Sequence, residues 1–201
     1  MIAIIDYGMG NLRSVQKGFE QVGCEAVITG DAGVVGAAAG VVLPGVGAFG
    51  DAMAHLRSSG LEEAVKAAIS SGRPFLGICL GLQLLFTTGY EDGVHAGLGI
   101  FDGTVEKLPA GVKIPHMGWN QITKVKDAPI LSDVPDNANF YFVHSYAVRP
   151  DDTSLTATLT DYAGGFVSGI VSGNVSAFQF HPEKSSGAGL RILRNFGGMC
   201  Q

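Results

Sequence analysis

The pentapeptide Gly77-Ile78-Cys79-Leu80-Gly81 constrains the fold of this chain more than any other segment. An apolar run, Pro74-Phe75-Leu76, leads into it, and a run of helical character, Leu82-Gln83-Leu84-Leu85-Phe86, leaves it. Strand, tight turn and helix in that order form a nucleophile elbow, with cysteine where many hydrolases carry serine. Glycines flank such a turn because its strained backbone leaves no room for neighbouring side chains. The elbow lifts the sulfur off a sheet and sets it at a helix N-terminus, where the dipole and free N–H groups favour thiolate over thiol. The competing reading is a small buried cysteine in a glycine-rich turn, the usual setting of a free thiol.

A base for that sulfur lies downstream. Ala177-Phe178-Gln179-Phe180 reads as a strand that delivers His181 at its end. Pro182 biases His181 toward an extended backbone, and strand alternation then puts His181 and Glu183 on one side of the chain. Glu183 is expected to hold one imidazole nitrogen while the other faces a thiol. His-Pro alone is more often an ordinary turn; the neighbouring acid and the cysteine on its elbow favour chemistry.

Residues 2–6, 25–28, 40–43 and 75–78 read as strands, and helices are expected from Asn11 to about residue 22, over 51–56 and over 61–70. This alternation predicts an α/β fold with a mixed, mostly parallel, doubly wound sheet flanked by helices. Ligands of such sheets bind beyond the carboxyl ends of the strands, where Gly45-Val46-Gly47 and Cys79 fall. Strand patterns at 99–108, 118–125, 140–148, 155–159, 165–171 and 175–180 follow with few helical stretches between them. Additional antiparallel strands are therefore expected in the second half. Residues 188–196 read as a terminal helix. No linker or repeat divides the 201 residues, so one domain over 1–201 is expected.

Composition excludes several classes. Net charge is −5 with no lysine or arginine cluster, which argues against nucleic-acid binding. No apolar run reaches the roughly 20 residues of a membrane span. Asp6 interrupts the N-terminus too early for a signal peptide. Cys24, Cys79 and Cys200 form a sparse, odd set that suggests reduced thiols and a cytoplasmic protein, without the paired spacing of a metal site. Gly8-Met9-Gly10 fails as a dinucleotide fingerprint because Arg13 stands where the third glycine belongs, so no cofactor is expected.

Six strings carry a resemblance: Ile5-Asp6-Tyr7-Gly8-Met9-Gly10-Asn11, Leu43-Pro44-Gly45-Val46-Gly47, the elbow, Pro115-His116-Met117-Gly118-Trp119-Asn120, Tyr141-Phe142-Val143-His144-Ser145-Tyr146 and Gln179-Phe180-His181-Pro182-Glu183-Lys184-Ser185. With them the chain resembles the class I, triad-type glutamine amidotransferases. Within these it is similar to the glutaminase subunits that serve a (β/α)8-barrel cyclase of histidine biosynthesis. The resemblance implies a flavodoxin-like fold, with Cys79 as nucleophile, His181 as proton carrier and Glu183 as its orienting acid. It assigns the oxyanion donors to Leu80 and to a flip of the Val46–Gly47 segment. It sets Gly45, Gln83, Glu91, Ser145 and Tyr146 against glutamine, and Asn11, Trp119, Tyr141, His144 and Lys184 near the docking surface. Glutamine becomes glutamate through a thioester, and ammonia passes into the barrel of a heterodimer whose nucleotide ligand activates an otherwise idle glutaminase. A stand-alone cysteine hydrolase of the peptidase or γ-glutamyl hydrolase kind, and a binding module that kept the fold, remain the alternatives.

Overall fold

Ile2-Ala3-Ile4-Ile5 has no polar position, and a strand of that composition is stable where both its faces are covered. In the computed structural model, which describes residues 1–201, it forms β1 (Ile2–Ile5) inside a 12-stranded sheet. The chain continues through α1 (Leu12–Gln21), β2 (Ala26–Thr29), α2 (Ala32–Ala37), β3 (Gly40–Gly45), α3 (Phe49–Ser58), α4 (Leu61–Ser70), β4 (Phe75–Cys79) and a one-turn α5 (Leu80–Gln83). The second half is β5 (Phe86–Gly89), β6 (His95–Ala96), β7 (Phe101–Lys107), β8 (His116–Gln121), β9 (Thr123–Lys124), β10 (Asn139–His144), β11 (Tyr146–Pro150), β12 (Thr156–Thr160), β13 (Phe166–Ser172), β14 (Val175–Phe178) and α6 (Ser186–Met199).

Alternation along the central strands feeds two cores. Ala3, Ile5, Val41, Leu43 and Phe75 point to one, which α2, α3 and α4 close with Val35, Phe49, Met53, Leu56 and Val65. Ile2, Ile4, Val42, Leu76 and Ile78 point to the other, which α1 and α6 close with Val15, Phe19, Ile192, Leu193 and Phe196. The sheet runs β2-β1-β3-β4-β14-β13-β11-β7-β5-β6. Its first five strands are parallel; β13, β11 and β7 then join antiparallel. β12 and β9 extend it beside β13, and β8 and β10 form a separate antiparallel ribbon with Trp119 opposite Tyr141.

Four expectations change. The strand read over 118–125 divides into β8 of the ribbon and β9 of the main sheet. The helix read over 82–86 ends at Gln83, and Phe86 opens β5. The carbonyls of Leu84 and Leu85 accept from the N–H groups of Leu98, Ile100 and Phe101, so no further helical turn uses them. The strand read over 140–148 breaks at Ser145, β10 joining the ribbon and β11 the main sheet. An apolar run with unbroken period carries no sign of such a change of partner. α2 was absent from the sequence reading: Ala-Gly-Val-Val-Gly-Ala is a weak helix former, and the Asp31 side chain starts it by accepting from the N–H groups of Gly33 and Val34.

The elbow forms as its glycines require. Cys79 stands at φ 55°, ψ −109°, a conformation that costs a non-glycine residue about 1–3 kcal/mol. A Cβ on Gly81 would run into the Leu43 carbonyl, and one on Gly77 would lie 2.9 Å from the Ala177 side chain. The close approach of α5 to β3 keeps β3 and β4 paired to their ends, so Gly45 lies in register with Cys79. Gly81→Ala is expected to destabilise by at least about 3 kcal/mol, because backbone on both sides must shift. Gly36→Ala, in the open on α2, is expected to stabilise by up to about 1 kcal/mol. Urea unfolding of the two variants tests both the size and the opposite sign.

Candidate active site

His181 is held from both sides. Its N–H donates to the Tyr141 carbonyl at 2.9 Å, and its carbonyl accepts from Ser185 Oγ, which in turn accepts from the Tyr141 N–H. Phe180, the residue before it, stacks on Phe140 of β10 at 4.0 Å between ring centres. Glu183 lies in a 3-10 turn, Pro182–Lys184, so the pair meets across a tight turn and not through strand alternation. The outcome matches the expectation all the same: His181 Nδ1 and Glu183 Oε1 are 2.8 Å apart. α1 approaches this turn at Gly18, where a Cβ would lie 3.5 Å from that of Glu183.

The Glu183 side chain is 1% exposed, and Oε1 on His181 is its only hydrogen bond. A buried carboxylate with one partner holds that partner charged. Burial works against the charged imidazole, but Cys79 and Glu183 outweigh it and raise the His181 pKa to about 10. His181 Nε2 is buried without a hydrogen bond. Cys79 is the other group that raises the pKa of the ring, so sulfur and carboxylate both favour its charged form.

Cys79 and His181 open on a cavity of about 320 Å³, lined also by Val46, Gly47, Leu80, Gln83, Glu91, Ser145 and Tyr146. These residues come from the loop after β3, the elbow, the loop after β5 and the β10–β11 crossover. A larger cleft of about 550 Å³ opens between β11 and β13, but it holds no cysteine or histidine and lacks a nucleophile–base pair. Glu91 Oε2 accepts from the Phe49 N–H at 2.7 Å, which caps α3, whose own N-cap, Ala48, has no side chain to do so. Burial, Glu91 and Asp92 together push the Tyr146 hydroxyl up, so this side of the cavity is negative.

Residues 3–198 match the family model described as Glutamine amidotransferase class-I. The chain belongs to that family. It is 54% identical over 198 residues to the imidazole glycerol phosphate synthase subunit HisH of Rhodopirellula baltica, covering 98% of this chain and 96% of the relative. The HisH subunit of Aquifex aeolicus is 56% identical over 194 residues, with 96% and 94% covered. A solved glutamine amidotransferase superposes with a TM-score of 0.78 at 17% identity, covering 100% of this chain and 99% of its own. Another from Thermotoga maritima gives 0.64 at 18% identity, covering 90% and 75%. At these identities the two structures share the fold.

The remaining expected residues of this class I amidotransferase fall into two groups. Trp119 is 54% exposed and packs edge-on against Tyr141 at 6.2 Å; Lys184 Nζ lies 5.9 Å over the Tyr141 ring. Asn11 is exposed at the start of α1, where its Oδ1 accepts from Ser14 Oγ and caps no backbone N–H. His144, expected at the docking surface, is buried and lines the cavity instead.

Tyr7 and Gln179 beside the sulfur, and His116 behind His144, have no role assigned from the sequence. Tyr7 is buried beside Gly45 and donates to the Pro44 carbonyl; burial and Cys79 push its hydroxyl up. Gln179 is fully buried 3.6 Å from Cys79 Sγ. Its one sequence signal is a polar side chain two residues before His181, on the same side of an apolar strand. His116 is buried against Tyr162 and Phe142 and pairs with His144. The carbonyl of Tyr146 can only accept, so His144 Nδ1 carries hydrogen at 2.9 Å and its Nε2 accepts from His116 Nδ1. His116 Nε2 then accepts from Asn120.

Both rings of this chain must be neutral. Burial lowers the His116 pKa, and burial, set against the hydrogen bond to the Tyr146 carbonyl, lowers that of His144 to about 4. A histidine whose folded pKa is depressed stabilises fully above its unfolded value and loses that contribution as pH falls from about 6.5 toward 4. His181 has the opposite sign, losing its contribution as pH rises toward 10. From pH 7 to pH 5 the wild type is expected to lose about 2 kcal/mol more unfolding free energy than His144→Gln, read by urea titration at both pH values.

Proposed function

We propose that this chain is the glutaminase subunit of an imidazole glycerol phosphate synthase, releasing ammonia for a (β/α)8-barrel cyclase subunit in histidine biosynthesis, with residues 1–201 as one amidotransferase domain. The observation that carries the proposal is one sulfur and one imidazole opening on a cavity that also holds Glu91, with a buried carboxylate hydrogen-bonded to the imidazole. The family description supports glutamine as the substrate, and the names of relatives aligned over almost the whole chain support the synthase.

The Cys79 thiolate attacks the side-chain carbonyl carbon of glutamine. The developing oxyanion takes N–H donors from Leu80 and from the Val46–Gly47 segment. His181, held by Glu183, gives its proton to the nitrogen as the C–N bond breaks, which releases ammonia and leaves a thioester. It then removes a proton from water, whose oxygen attacks the thioester. Expulsion of the sulfur as thiolate restores the starting ion pair and frees glutamate. Glu91 meets the α-ammonium group, the backbone at Ser145 and Tyr146 meets the α-carboxylate, and Gln83 and Gly45 bound the side chain between them.

Ammonia released into water becomes ammonium and loses its lone pair, so it passes directly to a docked partner. The exposed Met117 and Trp119, with Tyr141, Lys184 and Asn11, form the docking face, and His144 acts behind it. Gly47 at φ +96° and the exposed Val46 support a segment that flips on docking and completes the oxyanion hole. One missing donor lowers rate by roughly 10²–10³, so the lone subunit is nearly idle. Three free cysteines support a cytoplasmic location.

Glutamate release from glutamine is expected to rise at least about 100-fold when the cyclase subunit and its nucleotide are added. Rapid release without the partner, or peptide cleavage, points to a stand-alone hydrolase instead. Cys79→Ala is expected to abolish glutamine-dependent synthesis while leaving synthesis from ammonium salts intact. Glu183→Gln should lower glutamine turnover less than His181→Ala, because it weakens orientation without removing the proton carrier.

A further inference from the structure

Two glutamine side chains lie buried between the sulfur and the crossover strand, and their orientation follows from a single backbone group. Tyr146 O accepts only, so the Gln83 atom 3.1 Å from it is Nε2. The same Nε2 lies 3.0 Å from the Gln179 side chain, and with both its hydrogens engaged it meets the oxygen, Oε1. The other end of the Gln179 amide, Nε2, therefore faces Cys79 Sγ at 3.6 Å. Gln179 is fully buried and Gln83 and Cys79 almost so, which leaves the amide no water to turn toward.

We propose that Gln179 is a catalytic residue of this site, whose side-chain N–H donates to the Cys79 sulfur and favours its thiolate form. The proposal rests on Cys79 being the nucleophile and adds to that reading a residue outside the triad. The sulfur has a second neighbour, the Val143 carbonyl at 3.9 Å, which can accept only from a protonated thiol. Val143 thus serves the thiol and Gln179 the thiolate, and a hydrogen bond to the charged form favours ionisation. The titratable groups that face the sulfur are His181 beyond the end of β14 and Tyr7 beyond the end of β1; Glu91 and His144 line the same cavity. Gln83 acts as a positioning residue, since it keeps the amide of Gln179 from turning over.

The test is the pH profile of Cys79 alkylation by iodoacetamide, followed by mass spectrometry of the Cys79 peptide, in wild type and Gln179→Leu. The midpoint belongs to the coupled Cys79–His181 pair and is expected to rise by about one pH unit in the variant. A rate changed equally at every pH with an unmoved midpoint means that Gln179 only packs, and it overturns the proposal. A second measurement needs no variant: the Gln179 side-chain amide proton of the wild type is expected to shift in NMR spectra over the same pH range as alkylation. An amide signal indifferent to that titration also overturns the proposal. Alkylation requires neither glutamine nor a partner, so a failed glutaminase assay leaves this outcome readable.

Discussion

Two backbone segments approach more closely at the elbow than any side chain would permit. α5 lies so near β3 that Gly81 faces the Leu43 carbonyl with no space for a Cβ. From that contact follow the parallel pairing of Gly45 with Cys79 and the entry of Val46, Gly47 and Leu80 into the same cavity as the sulfur. The left-handed backbone of Cys79 is the strain this geometry entails. It persists because the strands on either side are buried on both faces and cannot slide without turning apolar side chains into the wrong core.

Charge at the site is governed by burial. Glu183 and His181 lie out of water, and each is tolerable as an ion only because the other is there. Burial disfavours the charged form of His144 and His116 as it does that of His181, but their hydrogen-bond partners are a carbonyl, an amide and each other, with no carboxylate to offset it. Partner chemistry, more than depth, decides which histidine carries a proton. The arrangement leaves one cationic ring at the sulfur and a neutral pair behind the crossover strand.

The route from the outer ribbon to the sulfur is continuous in hydrogen bonds. Asn120 on β8 meets His116, His116 meets His144, His144 and Gln83 share the Tyr146 carbonyl, and Gln83 meets Gln179 at Cys79. The ribbon that bears Trp119 also supplies the Tyr141 carbonyl that holds His181. One small sheet is thereby tied to both Cys79 and His181.

The elbow and the His181–Glu183 pair were legible in the sequence because they are local. The glycines around Cys79, the apolar strand before it and the spacing of His181 to Glu183 are short-range patterns, and each formed, although the last did so through a 3-10 turn. The alternating first half was legible too, since strands buried on both faces have a composition unlike that of any surface element. The tertiary structure alone decided what depends on distant partners. The break at Ser145, the ending of α5 at Gln83, the burial of His144 and the capping of α3 by Glu91 each arise where a backbone group finds a partner far along the chain. Periodicity records which face of a segment is apolar; it carries no record of which remote carbonyl or amide will meet it.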